Sequence, residues 1–548
     1  MQGEIQVIEN EALAESQSLP PLNLVGNPPI IQGSGYQAVE VLGKLLNFDL
    51  NISPFRNEAC ASCHMPYTGF SGPIPSVNLT MVAYPGTFHF RAGKRTAQRY
   101  TYSPDFPVLE YNSTQGAFFG GNFWDARATG YLLQSPDANQ AQGPPVDTQE
   151  MGFPDTACIP FRLQTAVYRP LFEAVWGADS LDIKFPPDTE QICDTPGGAA
   201  VFNGNTTPIR LKPEDRTKAN NAYDHWAQSI SKYERSNRLS PFTSKFDAYL
   251  ANKATLTADE MAGYNLFRGK ANCNSCHLDG RSTAPTPPPP EGTAPNSTDT
   301  GATADTRPLF TCFGYANLGL PLNPRDAFYY QTTPDAFGFT ANPYGFGYRD
   351  LGVGTFLRSG FGTWANPNKD WIPLAPTWDG RMQTSTARDV ALTPPQCPTT
   401  DAPGPYFQKE FFHNGYIKSL KQLVHFYNTR DAFPLAAPVT SGHCPAGTTE
   451  KVDCWPEPEV LNNEDMTLGN LGLTDQEENQ IVAFLQTLTD GYTTPYPDAD
   501  KYTGACQTGG SAETQGNESL IPAPEPLPAC ADAICGVAPT PFPSPGIP

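Results

Sequence analysis

Apolar residues recur at α-helical spacing in several stretches of the chain, which are separated by long polar and Pro-rich segments. Residues 36–50 (YQAVEVLGKLLNFDL) and residues 218–238 (KANNAYDHWAQSISKYERSNR) each have the pattern of a helix with an apolar face. Later in the chain, residues 418–428 place four side chains on one helical face: Leu420, Leu423, Val424 and Tyr427. The pattern therefore predicts a mainly α-helical protein.

Two further helices are marked by capping boxes, in which a Thr side chain and a Glu three residues later bond to each other's backbone N–H groups. Thr257 with Glu260 predicts the start of one helix, and Thr474 with Glu477 predicts the start of the other. The helix that starts at Thr257 leads directly into the cysteine motif at 273–277.

Composition indicates a globular protein with many loops, because 58 Pro and 47 Gly occur among the 548 residues. The formal net charge of −21 argues against a nucleic-acid partner. No stretch of 18 apolar residues is present, so no transmembrane helix is predicted. The first ten residues also lack the basic and apolar regions of a signal peptide.

The motif CxxCH occurs twice, as CASCH at 60–64 and as CNSCH at 273–277. Its reactive residues are Cys60, Cys63, His64, Cys273, Cys276 and His277. Two thiols at this spacing can add across the vinyl groups of a haem, and the following His can then ligate the iron. The alternatives are a redox CxxC, which normally lies between a strand and a helix, and a zinc site split over roughly 200 residues. The repeated His favours two covalently bound haem c groups.

Nine cysteines remain outside these motifs, and scattered cysteines in Pro-rich loops indicate disulfides formed in an oxidising compartment. Proximity in sequence suggests pairing Cys158 with Cys193 and Cys444 with Cys454. Because nine is odd, at least one thiol should be free or paired elsewhere. We therefore expect a periplasmic or extracellular, cell-surface location.

The chain contains a single repetition of helix, CxxCH, long loop and helix, which is how cytochrome c domains are built. The predicted fold is mainly α, with two cytochrome c-like haem domains and long irregular Pro-rich insertions. The expected segments are an N-terminal surface segment, a first haem domain, a second haem domain and a Pro-rich irregular tail: 1–35, 36–225, 226–491 and 492–548.

Seven ordered blocks around the two motifs resemble the bacterial dihaem cytochrome c peroxidase family, which includes MauG. The blocks are VLGKLLNFD, GNFWDARA, QAQGPPVDTQEMG, FTCFGYANLGLP, GRMQTSTARDV, FFHNGYIKSLKQLVHFYN and LGLTDQEENQIVAFLQTLT. Long insertions depart from the family pattern, at about 154–215, 283–305, 325–375 and 391–407.

The resemblance implies that His64 and His277 are the proximal ligands of the first and second haem. Trp124 matches the family's tryptophan between the two haems, where an indole can relay an electron, although a buried core Trp is the alternative. His413 matches the histidine of the family's HNG block, near the second haem.

Glu150 matches the family's carboxylate over the open face of the first haem, where it could move a proton between the oxygens of bound peroxide. Gln140 matches an amide of the same pocket, but Gln134 competes for that place because six residues are inserted after Arg127. His89 lies near where some members carry a loop histidine that caps the first iron.

Tyr427 stands where conventional members place a Met ligand to the second iron and where the MauG-like branch places a Tyr. A phenolate stabilises ferric iron, so the resemblance implies a second haem of low potential. The family also holds a calcium ion between its haems, but here Thr96, Gln408 and Glu410 replace its usual Asn, Thr and Pro.

The leading functional hypothesis is a secreted dihaem oxidoreductase that reduces hydrogen peroxide at the first haem. Its electrons would come through the second haem from a small cytochrome c or cupredoxin. The first alternative is a MauG-like high-valent enzyme that oxidises side chains of a protein partner. Two others are a surface electron-transfer cytochrome without peroxide chemistry and a dioxygen-using enzyme that cleaves organic polymers.

Overall fold

The fold is helix-rich with long irregular connections. This computed structural model describes residues 2–17, 19, 24–25, 30–31, 38–66, 69–72, 82–102, 106–196, 208–280, 308–359, 369–392, 410–433, 435–436 and 444–493. The predicted tail beyond residue 493, the insertion at 283–305 and four cysteines (Cys397, Cys506, Cys530 and Cys535) lie outside the described residues.

Thirteen α-helices are found in the described part of the chain. They are α1 Gln2–Gln17, α2 Ala38–Phe48, α3 Cys60–Cys63, α4 Pro136–Ala141, α5 Cys158–Leu163, α6 Arg169–Trp176, α7 Thr189–Cys193, α8 Pro213–Glu234, α9 Lys245–Leu250, α10 Ala258–Arg268, α11 Val353–Arg358, α12 Leu420–Thr429 and α13 Asp475–Gln486. Short 3₁₀ helices include Cys273–Ser275, Ala327–Tyr330 and Lys369–Trp378. The described helices agree with the five that the sequence predicted.

Strands in the described residues are short and pair only two at a time. They are β1 Leu24–Val25, β2 Ile30–Ile31, β3 Glu110–Asn112, β4 Ala117–Phe119, β5 Tyr315–Ala316, β6 Met382–Gln383, β7 Leu435–Ala436 and β8 Trp455–Pro456. The pairs β1–β2, β3–β4 and β5–β6 are antiparallel, and β7–β8 is parallel. In β5–β6, Tyr315 lies opposite Gln383.

The first hydrophobic core is built around the crossing of α2 and α8, and its residues come from positions 12–230. Gly43 allows the close approach of these helices, because a Cβ there would lie 2.0 Å from the Ser229 carbonyl oxygen. Around this point Leu42, Leu45 and Trp226 are completely buried. The crossing fixes the chain that runs from α2 into the first CxxCH motif.

The second core repeats this arrangement with α10 and α13, and its residues come from positions 246–488. A Cβ on Gly263 would lie 1.8 Å from the Gln480 carbonyl oxygen, so this crossing also requires glycine. Phe484 packs against Phe246 and Phe267 in edge-to-face contacts. Helix α10 thereby positions the second CxxCH motif.

Within the N-terminal segment, residues 2–17 form a helix that packs on α2 and that the sequence did not predict. The physical reason is the spacing of Ile5, Ile8 and Ala12, which places three apolar side chains on one face, where they are buried.

Both capping boxes are confirmed: Thr257 caps α10 with Glu260, and Thr474 caps α13 with Glu477. Both disulfides suggested by proximity are present, Cys158–Cys193 and Cys444–Cys454. Among the helices of the described residues, none is both long enough and apolar enough to cross a membrane.

The insertion at 325–375 is rich in aromatic residues where it is described. Phe328, Tyr329 and Phe346 belong to a small buried cluster that also includes Tyr84 and Ala92 of the segment after the first motif. This insertion therefore contacts the chain that surrounds the first CxxCH motif.

Candidate functional site

The first CxxCH motif forms a single helical turn, α3, with His64 at its C-terminal end. The Nδ1 atom of His64 lies 3.0 Å from the carbonyl oxygen of Phe70, so Nδ1 carries the proton of the bond. Phe70 has φ +60°, and this left-handed backbone belongs to the turn that brings its carbonyl to the imidazole. Burial lowers the pKa of His64 to about 4, which keeps the ring neutral. A neutral histidine held through Nδ1 is suited to ligate iron through Nε2.

The second motif has the same arrangement, although its cysteines lie on a 3₁₀ turn. His277 Nδ1 lies 2.9 Å from the carbonyl oxygen of Phe310, whose φ is +53°. Burial also lowers the pKa of His277. Two segments with little sequence in common thus orient their histidines with the same contact.

All four motif cysteines are free thiols, unlike the disulfide-bonded cysteines elsewhere. Burial raises the pKa of Cys63, and it raises the pKa of Cys273 to about 12. The pKa of Cys276 is instead lowered to about 7, chiefly because the Cys312 thiol hydrogen-bonds to it. Cys312 is the remaining free cysteine of the described residues. No sequence pattern predicts the contact of Cys312 with the motif.

The first motif opens onto a cavity of about 150 Å³. Its lining brings together five of the residues predicted to act at the first haem: Cys63, His64, Trp124, Gln140 and Glu150. Cys60 lies one helical turn from Cys63 on α3 and packs against the first core.

Glu150 lies in a turn whose backbone is held from both sides. Its N–H donates to the Asp147 carbonyl at 3.1 Å, and its carbonyl accepts from Thr87 N–H at 2.8 Å. Gly86 permits this approach, because a Cβ there would lie 1.8 Å from the Glu150 carbonyl oxygen. Burial, with a contribution from Asp147, raises the pKa of the Glu150 carboxyl to about 8. A carboxyl with this pKa can both accept and return a proton near neutral pH.

The structure distinguishes between the two candidate pocket glutamines. Gln140, on α4, lines the first cavity, whereas Gln134 is exposed and donates to the Tyr131 carbonyl. His89, the possible capping histidine, is not among the residues that line either cavity. The His89 side chain is half-buried.

The second motif opens onto a larger cavity of about 240 Å³. The predicted residues that line it are Cys273, Cys276, His277, Trp124, His413 and Tyr427. Tyr427 lies on α12, as the helical periodicity predicted. Burial raises the pKa of its phenol, and the Cys273 and Cys276 thiols contribute to the rise. The phenol therefore stays protonated unless a cation such as iron is bound to it.

Trp124 is shared by the two cavities, since it lines both. Its indole Nε1–H donates to the Thr96 carbonyl at 3.1 Å. Its ring contacts His413 edge to face, with centroids 6.3 Å apart. The indole thus stands between the two CxxCH sites and is fixed there by a hydrogen bond.

The expected calcium site is described only in part, because Gln408 lies outside the described residues. Thr96 bonds to two carbonyl oxygens, from N to His413 and from Oγ1 to Phe412, each at 2.8 Å. Burial raises the pKa of Glu410 to about 8. Within the described ranges, no three or more His, Cys, Asp or Glu residues are grouped as a metal site. Calcium binding stays a prediction.

A charged network that sequence reasoning missed lies beside these cavities. Arg95 bonds to Asp350 at 2.6 and 2.7 Å and to Asp125 at 2.7 Å. Asp350 belongs to the insertion at 325–375, and its backbone N–H donates to Glu459 at 2.9 Å. Glu459 in turn lies 3.8 Å from His413 Nε2. No motif signals these contacts, because they join segments far apart in the chain.

The donor set of each cavity fits a covalently attached haem. Each site offers two free thiols at CxxCH spacing and a neutral histidine whose Nδ1 is already bonded to a carbonyl. A structural zinc site would normally use four ligands. Within the described residues, no such cluster is formed.

Comparison with known proteins agrees with this geometry. Residues 37–255 match the family described as di-haem cytochrome c peroxidase. Methylamine utilization protein MauG of Paracoccus denitrificans is 27% identical over 459 residues, which cover 83% of this chain and 89% of MauG. Cytochrome-c peroxidase IdrP1 of Denitromonas iodatirespirans is 24% identical over 488 residues, which cover 87% of this chain and 89% of IdrP1.

Among solved structures, the diheme peroxidase BthA from Burkholderia thailandensis is similar in fold. The TM-score is 0.55 with 22% sequence identity, over 86% of this chain and 94% of BthA. This similarity confirms the helix-rich architecture, and the family match over residues 37–255 with the two relatives confirms the family resemblance predicted from the sequence.

Proposed function

We propose that this chain, a dihaem oxidoreductase of the cytochrome c peroxidase and MauG family, reduces hydrogen peroxide at the first CxxCH site. The electrons would pass through the second site. Each peroxide takes up two electrons and two protons to give two molecules of water.

The first haem would be held by Cys60 and Cys63 through thioether bonds and by His64 as an iron ligand. The second would be held by Cys273 and Cys276 through thioether bonds, with His277 and Tyr427 as its candidate iron ligands. A bound haem supplies an iron that can bind peroxide and exchange electrons with it.

Glu150 is proposed to move the proton in this reaction. In its ionised form the carboxylate would take the proton from one peroxide oxygen and return it to the other, which then leaves as water. The Gln140 amide, in the same cavity, would orient peroxide by hydrogen bonding. Trp124, which lines both cavities, would carry electrons from the second site to the first.

The single observation that carries this proposal is the position of Glu150 in the cavity of Cys63 and His64. An electron-transfer cytochrome needs no titratable carboxyl in a buried cavity beside its haem ligand. A reaction that moves protons at the iron does need one, because proton transfer requires a group within hydrogen-bonding reach.

A second candidate function is the oxidation of side chains of a protein partner, and Tyr427 is the observation that favours it. The residue lines the second cavity together with His277, where a phenolate ligand would stabilise the oxidised iron. The relative MauG, which is 27% identical to this chain, is named for methylamine utilization.

We also propose that the haem domains are 36–225 and 226–491 and that the protein is exported to the periplasm or cell surface. The two larger hydrophobic cores support a division into two haem domains, and helix α8 crosses the boundary between them, since it runs to Glu234 and its Trp226 lies in the first core. The two disulfides support export, since such bonds persist in oxidising compartments. The acidic chain suits a donor with a basic surface, such as a small cytochrome c, and a cupredoxin is the alternative donor.

The two candidate functions can be separated by supplying peroxide together with a reduced small cytochrome c or cupredoxin. The peroxidase proposal expects oxidation of two donor molecules per peroxide, at a rate that falls when ionic strength screens the acidic surface. The control is the rate at which free haem and peroxide oxidise each donor. If the haems of the protein react with peroxide but oxidise no donor faster than this control, the oxidation of protein side chains is the better supported function.

A further inference from the structure

We propose that Tyr329 is a redox-active residue that gives an electron to the peroxide-oxidised dihaem unit and its phenolic proton to Glu459. The inference rests on the proposed peroxide chemistry, and it adds a site for storing an oxidising equivalent on the chain. Tyr329 lies in the 3₁₀ helix Ala327–Tyr330, within the insertion that departs from the family pattern.

Tyrosine oxidation requires an acceptor for the phenolic proton, because the oxidised phenol is a strong acid. A proton acceptor must lie within hydrogen-bonding reach, about 2.6–3.2 Å. The Tyr329 hydroxyl donates to Glu459 Oε1 at 3.0 Å, and both residues are buried. The pair therefore meets the geometric condition for coupled loss of an electron and a proton.

Glu459 also connects Tyr329 to the site between the haems. Its carboxylate lines the second cavity, and Oε2 lies 3.8 Å from His413 Nε2. His413 contacts the indole of Trp124 edge to face. The Tyr329 phenol is thus connected to Trp124, the residue shared by both cavities. The connection consists of the hydrogen bond to Glu459, the close approach of Glu459 to His413 and the ring contact of His413 with Trp124.

Other buried tyrosines in the described part of the chain also donate to carboxylates, but those carboxylates lie elsewhere. The pairs are Tyr102–Asp490, Tyr168–Asp49, Tyr264–Asp279 and Tyr416–Glu450. None of these four carboxylates lines either cavity. Of the five pairs, Tyr329–Glu459 has its proton acceptor in the wall of a haem cavity.

Tyr329 is also close to the protein surface. Its ring stacks on Phe346 at 5.3 Å with an interplanar angle of 16°. Phe346 is in the turn around Gly345–Gly347, where Tyr344 is 74% exposed. An oxidising equivalent on Tyr329 would therefore lie one ring below an exposed turn, within reach of an electron-rich substrate that binds there.

The proposed step balances in electrons and protons. Tyr329 loses one electron to the oxidised dihaem unit, and its proton moves to Glu459 Oε1. The products are a neutral phenoxyl radical and a neutral carboxyl group. Hydrogen peroxide is the two-electron oxidant: one electron comes from Tyr329 and the other from the haem unit, an electron-rich external donor replaces both, and solvent supplies the two protons that complete the two waters.

Freeze-quench EPR spectroscopy of the holoenzyme, after addition of one equivalent of hydrogen peroxide, tests this proposal. We expect a tyrosyl radical signal in the wild type that is lost in Tyr329→Phe. The signal should persist in Tyr264→Phe, which removes a buried, carboxylate-bonded hydroxyl outside the cavities. Glu459→Gln keeps the size of the side chain but removes the proton acceptor, so it should reduce the radical yield, and Glu459→Asp should restore part of it.

The haem optical spectrum recorded on the same samples separates two kinds of failure. A wild-type haem spectrum that responds to peroxide, with no tyrosyl signal or with one unchanged in Tyr329→Phe, would overturn this inference and leave the proposed function standing. Haems that do not respond to peroxide would refute the proposed function, and with it this inference, because the oxidant for Tyr329 would be missing.

Discussion

The Nδ1 atom of His64 lies 3.0 Å from the carbonyl oxygen of Phe70, so the loop after the first motif fixes the orientation of the motif's histidine. His277 repeats this relationship with Phe310 at 2.9 Å. Both phenylalanines have positive φ. A hydrogen bond from the other ring nitrogen orients a metal-ligating histidine, so the two sites suit the same type of cofactor.

Replacing Cys273 and Cys276 with Ala should leave one covalently bound haem where the wild type has two. The reason is that the second attachment site would have lost both of its thiols, while the first site, at Cys60 and Cys63, stays intact. Pyridine haemochrome absorbance and intact protein mass after acid–acetone extraction measure the number. A wild-type protein with zinc and without haem would contradict the proposed cofactor.

Replacing Glu150 with Gln should leave both haems in place but slow the reaction with peroxide. Loss of a positioned acid or base typically costs about 100- to 10,000-fold in rate. Stopped-flow measurement of the first haem's optical change gives this rate. A rate within about threefold of wild type would assign Glu150 a structural role, since that is far below the usual effect of removing such a group.

The peroxide reaction should also depend on pH through Glu150. Burial raises the pKa of this carboxyl to about 8, and the carboxylate is the form that accepts a proton from peroxide. The rate should therefore rise with pH up to about 8 and level off above it. The Glu150→Gln variant should lose this dependence, and a profile identical in both proteins would assign the ionisation to another group.

Replacing Trp124 with Phe should slow electron transfer between the two haems without blocking the reaction of peroxide at the first. Phenylalanine fills part of the same space but is much harder to oxidise and cannot donate to the Thr96 carbonyl. Rapid-scan spectra that resolve the two haems measure both steps. Unchanged transfer between the haems would exclude Trp124 from the electron path.

Replacing Tyr427 with Met should raise the reduction potential of the second haem. A thioether favours ferrous iron, whereas a phenolate favours ferric iron. Spectroelectrochemical titration measures this potential. A potential unmoved by the substitution, or a sulfur-to-iron charge-transfer band in the wild type, would show that another residue ligates the second iron.

Replacing Cys158 and Cys193 with Ser should destabilise the first core by about 2–4 kcal/mol, the typical contribution of a disulfide. The bond closes a loop with a sequence separation of 35 and lies in that core. Replacing Cys444 and Cys454 should have a smaller effect, because its loop has a separation of 10. Chemical unfolding followed by circular dichroism compares the two variants.

Much of the fold was predictable because local signals agreed with the final structure. The capping boxes at Thr257 and Thr474 start helices where the sequence placed them. Helix α1 was not predicted, because its face has only a few apolar residues, such as Ile5 and Ile8, and the Pro-rich stretch after residue 18 is typical of irregular chain. Apolar periodicity predicts a helix where many apolar residues line the buried face. It is a weak signal in α1, where only a few do.

The site was predictable where motifs carry chemistry and unpredictable where contacts join distant segments. Glu150 and Gln140 could be placed by resemblance, but the choice between Gln140 and Gln134 required the cavity. The contact between Tyr329 and Glu459 spans 130 residues and involves an insertion without helical periodicity. Only the folded structure brings such groups together, since nothing in either local sequence refers to the other.

Addition of one equivalent of hydrogen peroxide to the diferric protein shows whether the first haem reacts with peroxide. Optical and EPR spectra should show a high-spin ferric first haem and a low-spin second haem before the addition. We predict a rapid change in both haem spectra, without prior reduction and at a rate that Glu150→Gln lowers. Two low-spin haems whose spectra are unchanged by peroxide would contradict the account.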